Sequence, residues 1–190
     1  MSKLETNTID TISGSTTLTL GGTNANAITI PSGITLTVPN GGLSGQNYPA
    51  FEAYLNANTS ISNNTLTVIP CATEIYDTDS CYDTSTYTFT PNVAGKYYIY
   101  GGASMASGGN VYQFSFFQIR LNGSLRKTST FNPDDTSINT ATPTISGILD
   151  MNGTTDSVNL RVQFSSSISN TLNGGSTDRN TYFGAFRIGD

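Results

Sequence analysis

The sequence predicts an all-β protein: a ten-strand jelly-roll sandwich preceded by a short β-repeat segment. Three observations predict it. Apolar residues alternate with Thr and other strand-favouring residues in short runs. Gly, Asn and Pro turn signals separate those runs. No stretch carries the spacing of an amphipathic helix. Thr (30), Ser (22) and Asn (19) make up over a third of the 190 residues, a bias shared with disordered chains. The ten Tyr and nine Phe oppose that reading, because disordered chains are poor in aromatics.

The first elements lie in a stretch without charge, from Thr11 to Phe51. Three alternating runs occur in it: Leu18 to Leu20, Ile28 to Ile30, and Ile34 to Val38. Turn residues separate them at Gly21 to Asn24, Pro31 to Gly33 and Pro39 to Gly42. Each run offers two or three apolar side chains to one face, namely Leu18, Leu20, Ile28, Ile30, Ile34, Leu36 and Val38. A segment of about 40 residues buries too little surface to stand alone. Two remedies stay open: identical copies intertwine as a shaft over residues 17–47, or the strands extend the sheet of the domain that follows.

From Tyr48 the pattern changes: aromatics enter, strands lengthen and charges return at turns. The expected strands are 50–55, 65–70, 72–76, 87–90, 95–103, 112–121, 124–130, 142–151, 157–164 and 181–188. Asn122-Gly123 is the strongest hairpin signal, because a type I′ turn needs positive φ at both positions. Cys71 and Cys81 are two thiols on or near paired strands, or a disulfide closing a short loop.

Composition excludes several function classes. His is absent, which removes Ser-His-Asp and Cys-His catalysis and imidazole metal sites. Eight basic residues against thirteen acidic ones give a net charge of −5, and nucleic-acid binding needs clustered cations that are missing here. No run approaches 18 apolar residues, so no membrane insertion is expected. The start, from Met1 to Asn7, lacks the apolar core of a signal peptide. Paired carboxylates occur only in turn-like surroundings, where Asp serves the backbone, so no enzyme, no catalytic residue and no cofactor are expected. Asp77, Asp79 and Asp83 are the candidates for an ion; their hard oxygens at short spacing suit calcium.

Residues 74–100 carry a more specific pattern. Tyr76-Asp77 is followed by Tyr82-Asp83, then Phe89, then Gly95 with Tyr97 and Tyr98. This resembles the central signature of the C1q-like domain of the C1q/TNF superfamily, with Ala94 where that family usually has Pro. Phe51 to Tyr54 resembles the family's first strand, and Phe116 to Gly123 its strand ending in Asn-Gly. Leu149 to Val162 is similar to another family stretch, with two residues inserted between Gly153 and Asp156. Thr181 to Phe186 resembles the closing strand. The resemblance covers residues 48–190.

It implies a ten-strand jelly roll assembling as a homotrimer with apolar faces on the threefold axis. The residues it assigns to core and trimer packing are Phe51, Tyr54, Tyr76, Phe89, Gly95, Tyr97, Tyr98, Phe183 and Phe186. At alternating positions, one face carries Tyr98 and Tyr100 and the other Tyr97 and Ile99. No Gly-X-Y collagen run is present; in its place stands the charge-free stretch, similar to the β-repeats of virus and phage fibres. The expectation is therefore a trimeric capsid decoration or head fibre on a virion surface, made in a host cytoplasm. Residues 1–16 anchor it to a capsid or other virion protein, 17–47 form the shaft and 48–190 the knob. Recognition loops, expected at 104–110, 131–139 and 165–178, suit hydrogen bonding to host glycans. The alternatives are a tail-fibre receptor-binding tip and a secreted lectin-type module.

Overall fold

A computed structural model describes residues 48–134, 136–167 and 170–189. The shaft residues Leu18, Leu20, Ile28, Ile30, Ile34, Leu36 and Val38, the anchoring segment and both domain boundaries lie outside the described residues.

The described residues hold strands and no helix. In chain order they are β1 (Ala50–Tyr54), β2 (Thr59–Ser60), β3 (Thr67–Val68), β4 (Thr73–Asp77), β5 (Tyr82–Asp83), β6 (Thr88–Phe89), β7 (Gly95–Gly102) and β8 (Met105–Ala106). There follow β9 (Val111–Leu121), β10 (Ser124–Phe131), β11 (Thr136–Ser137), β12 (Thr140–Ala141), β13 (Thr144–Met151), β14 (Val158–Ser166), β15 (Thr171–Leu172) and β16 (Tyr182–Gly189). One antiparallel sheet runs β13-β7-β16-β1-β4, and the other runs β10-β9-β14-β6-β5, with β11 beside β9 and β3 beside β14. A third set of short pairs, β12-β8-β15-β2, is made from connections. All of them leave or enter the five-stranded sheet at its Tyr54, Gly102, Thr144 and Tyr182 end, where those residues pair.

Every expected strand overlaps an observed one, but two shrink to a pair of residues. At 87–90 the cause is local: Tyr87 takes φ 59° and its N–H donates to the Asp83 carbonyl at 2.7 Å, so the strand starts only at Thr88. At 65–70 the strand is β3 alone, ending before Pro70, whose nitrogen has no hydrogen to donate. The expected loops at 104–110, 131–139 and 165–178 are tied down by β8, β11 and β15. Their backbone has partners: the Ser107 N–H donates to the Asn139 carbonyl and the Asn173 N–H to that of Ser104.

Between the two main sheets lies an aromatic core. Phe51 stacks on Tyr82 at 4.3 Å and on Phe89 at 4.8 Å, and meets Phe183 edge-on at 4.8 Å. Phe51 and Phe183 come from the five-stranded sheet, Tyr82 and Phe89 from the other, so these rings join the layers. Tyr97 closes the set against Phe89 at 5.6 Å. Buried tyrosines need a polar outlet; the Tyr97 hydroxyl donates to the Val93 carbonyl at 2.7 Å and that of Tyr82 to Cys71 at 2.8 Å. Cys71 and Cys81 are free buried thiols; burial pushes Cys71 up to about 12.

The turns are specified as tightly as the core. Asn122 (φ 51°) and Gly123 (φ 76°) have the two positive φ values of the expected I′ hairpin. The Asn152 side-chain oxygen accepts the N–H groups of Thr154, Thr155 and Asp156. Those bonds accommodate the two residues inserted after Gly153. Gly153 itself (φ 71°) passes so close under Val93 and Ala94 that a Cβ would overlap their backbone.

Truncating the ring at the centre of the core, Phe51→Ala, should lower unfolding free energy by about 3–5 kcal/mol. Urea denaturation followed by tyrosine fluorescence measures it; a loss within 1 kcal/mol, roughly the level of a surface change, would contradict this core assignment.

Candidate functional site: an outward aromatic face

Strand alternation sends every second residue of the five-stranded sheet away from the core. On a monomer's exterior those positions are normally polar. Here they form three cross-strand rungs set by the registers. One reads Ile148, Tyr98, Phe186, Ala50; the next Ser146, Tyr100, Gly184, Glu52, Tyr76; the third Thr144, Gly102, Tyr182, Tyr54, Thr73. Beyond the first rung the face ends in an ion pair, Lys96 to Asp150 at 3.8 Å. The inward positions, Tyr97, Ile99, Phe183 and Ala185, are fully buried.

Two reciprocal contacts build the middle of this face. Tyr100 on β7 stands opposite Gly184 on β16, and Tyr182 on β16 stands opposite Gly102 on β7. Each ring lies across the glycine it faces. A Cβ at Gly102 would come within 2.6 Å of Tyr182 Cε1, and one at Gly184 would overlap the Tyr100 ring. Glycine lets a cross-strand aromatic cover bare backbone. Lying across β16, the Tyr100 hydroxyl reaches β1 and donates to Glu52 Oε2 at 2.7 Å. Burial, then hydrogen bonding with Glu52 and Tyr76, then the Glu52 charge, raise its pKa far above that of a free tyrosine. Tyr98 sits 5.9 Å from Tyr100 and 5.4 Å from Phe186, which completes a connected aromatic surface.

The residues that the resemblance assigns to packing therefore divide. Phe51, Phe89, Tyr97 and Phe183 are core. Tyr76, Tyr98 and Phe186 are on the outward face, where Phe186 is 41% and Tyr76 41% exposed. Tyr54 is outward by alternation yet only 8% exposed, because the Arg179 guanidinium lies 5.0 Å over its ring. Gly95 (φ 146°) begins β7 beneath the Arg187 guanidinium, with no room for a Cβ. Ile148 (59% exposed) belongs to the same face and was missed. It lies in a segment expected to be a strand, and its outward direction follows only from its register against Tyr98.

Beside the face, a groove of about 570 Å3 runs from β7 and β16 past β13 to β10. It is lined by Tyr98, Tyr100 and Tyr182, by Ser146 next to Tyr100 on the middle rung, and by Lys127 and Ser129 of β10.

The acidic candidates do not gather. Asp77 accepts N–H groups from Asp79, Cys81 and Tyr82, so its carboxylate organises the turn after β4. Asp83 accepts from the Ser85 hydroxyl and backbone and from Thr86. Among the described residues no group of three acidic or Cys side chains could hold a metal. Both oxygens of Asp77 and one of Asp83 thus serve local turns.

No family model and no curated protein matches the chain. Solved structures do. The globular domain of zebrafish complement 1qA protein aligns with a TM-score of 0.52 at 16% identity, covering 74% of this chain and 97% of that one. Two crystal structures of murine APRIL, at pH 8.0 and pH 8.5, each align at 0.53 and 9% identity, covering 75% and 100%. The fold is that of a C1q/TNF-like domain. No helix among the described residues is long and apolar enough to cross a membrane.

Two outcomes check this geometry. Gly184→Ala should displace the Tyr100 ring from the C1q/TNF-like domain's outer face and destabilise it by about 1–3 kcal/mol. The penalty should shrink by at least half in a Tyr100→Ala background; equal penalties in both backgrounds would refute the ring-on-glycine contact. For Asp83, hydrogen bonds from Ser85 and then Thr86 hold the carboxyl at about 2, below its usual 3.8. A lowered folded-state pKa contributes stability that is present above 3.8 and lost as pH falls toward 2. Asp83→Asn should therefore melt lower at neutral pH and lose less between pH 4 and pH 2 than the parent. Parallel melting curves against pH would refute it.

Proposed function

We propose that the chain is a homotrimeric structural protein of a virion surface, a capsid decoration or head fibre. In this reading the C1q/TNF-like domain is its knob and the outward aromatic face holds three copies together. The observation that carries the reading is the exposure of Ile148, Phe186 and Tyr76 on one face of the five-stranded sheet, around the rings of Tyr98 and Tyr100. Contiguous apolar surface of this kind marks an interaction site, and a second copy supplies a matching apolar surface without any further partner. Three copies on a shared axis is the arrangement that the family resemblance implies. Assembly then removes the exposed rings from water, and folding and association become coupled.

The virion location rests on the charge-free alternating stretch ahead of the knob, whose pattern is similar to fibre shafts. Residues 1–16 would hold a capsid or other virion protein, and many copies per particle would turn weak glycan contacts into firm adhesion. Immuno-gold labelling of particles separates a head fibre from a tail-fibre tip, and labelling confined to free protein favours the secreted lectin-type module.

Three chains of 20.1 kDa give about 60 kDa. Light scattering after size exclusion should give that mass for the parent and about 20 kDa for the pair Ile148→Glu with Phe186→Glu, with strand content retained. A monomeric parent, or a trimeric double variant, would refute assembly through this face.

A further inference from the structure

We propose that the outer face of the second sheet carries a binding site for a sulfated saccharide, with the sulfate held by Arg120 and Arg161 together. The inference deepens the adhesive part of the reading above by naming a ligand class, and it rests on that part alone. The proposed trimer covers the outer side of the five-stranded sheet. This site lies on β9 and β14 of the other sheet, on the opposite side of the sandwich.

Alternation selects the residues. Phe117, Ile119 and Leu121 of β9 and Leu160 and Val162 of β14 are buried in the core, so the residues between them face out. The registers place Leu125, Arg120 and Asn159 on one outward rung, and Thr128, Gln118 and Arg161 on the next. The two arginines are thus diagonal, each opposite an amide. Each amide also holds the arginine of its own strand: Arg120 Nε donates to Gln118 Oε1 at 2.9 Å, and Arg161 Nε to Asn159 Oδ1 at 3.2 Å. Asn159 is short and stands opposite Arg120, so its bond draws the Arg161 head onto the Arg120 rung. A further bond from Arg120 Nη1 to the Gly123 carbonyl fixes the other head against the hairpin. Gln118 is only 9% exposed, so its amide supports the arginine from within the sheet surface.

Two cations brought to one rung repel each other, and no carboxylate among the described residues relieves them. The Lys96–Asp150 pair is on the other sheet. Asp156, past the hairpin, has its oxygens on Asn122 and Asn152. Asp83 stands two strands beyond Asn159, roughly 10 Å away, with one oxygen turned to Ser85 and Thr86. Among the described residues, both terminal nitrogens of Arg161 and one of Arg120 have no acceptor. One guanidinium fork satisfies the two oxygens of a carboxylate. Two guanidiniums on one rung match a group with three terminal oxygens, as a sulfate ester has. The neighbouring rung of Thr130, Phe116 and Gln163 makes the carrier a saccharide. Its ring suits the apolar face of a sugar, and its hydroxyl and amide suit the sugar's edge.

The test uses the full chain and three probes: a κ-carrageenan tetrasaccharide, its desulfated form, and tetragalacturonate. Titration calorimetry should show saturable binding of the sulfated probe, with the other two at least tenfold weaker. Arg161→Gln should weaken the sulfated probe about tenfold. Arg161→Lys keeps the charge but loses the fork and should weaken it about fivefold. Lys127→Met removes an exposed cation of β10 outside the site and should change binding less than twofold. Melting curves check that each variant is folded. No saturable binding, a desulfated or carboxylate probe that binds as tightly, an unaffected Arg161→Gln variant, or an equal loss in Lys127→Met would each overturn the proposal. Mass measured on the same samples keeps the two readings apart: a monomer that binds overturns only the trimer, and a trimer that does not bind overturns only this site.

Discussion

Two tyrosines lying across two glycines on the β7–β16 pair shape the outer surface of this domain. A side chain at Gly102 or Gly184 would lift a ring off the sheet and leave separate bumps instead of a continuous floor. With glycine at both positions the rings lie down, Tyr100 spans to Glu52, and Tyr98 and Phe186 close around it. The aromatic face and the apolar wall of the groove both follow from that arrangement. The constraint is local in contact and distant in sequence, since Tyr100 and Gly184 are brought together only when the last strand enters the sheet.

The two sides of the five-stranded sheet are apolar for different reasons. The inner side is buried against the second sheet through Phe51, Phe183 and Tyr97, and its burial drives folding of one chain. The outer side gains nothing from folding alone, because water still reaches Phe186 and Ile148. In the proposed assembly, association covers this surface, and its polar limits are visible: the Lys96–Asp150 pair at one end and the Ser and Thr of the groove beside it. Edge strand β10 differs: its side chains are almost all exposed and six of the eight are polar, Leu125 and Phe131 being the exceptions, as expected of a solvated edge strand.

Much of this was legible in the sequence. Alternation located the long strands, and Asn122-Gly123 was readable as a turn because only particular residues tolerate its φ angles. The C1q-like pattern put Phe51, Phe89 and Tyr97 among the packing residues without saying which rings would meet, and it left out Tyr82, which stacks on Phe51. What was not legible depends on register or on contacts between distant segments. Tyr54 is covered by Arg179 from far along the chain, and nothing near either residue signals it. The two-residue strands such as β8 and β15 are too short for any periodicity; they exist because neighbouring connections satisfy one another's backbone groups. Asp77, Asp79 and Asp83 have the residue types of an ion site, yet the same short spacing lets a carboxylate reach backbone N–H groups first, as Asp77 does at Cys81 and Tyr82.

The central claim is that copies of the chain cover the outward aromatic face, and solvent access at single residues tests it most directly. Hydroxyl-radical footprinting of the full protein, read by mass spectrometry, compares concentrated samples with dilutions that dissociate the assembly. The account predicts that Phe186, Ile148 and Tyr76 are protected at high concentration and oxidised on dilution, while Leu125 on β10, 46% exposed, reacts equally in both. Equal oxidation of Phe186 and Ile148 at every concentration, in a sample whose mass shows it assembled, would place the interface elsewhere and contradict the account.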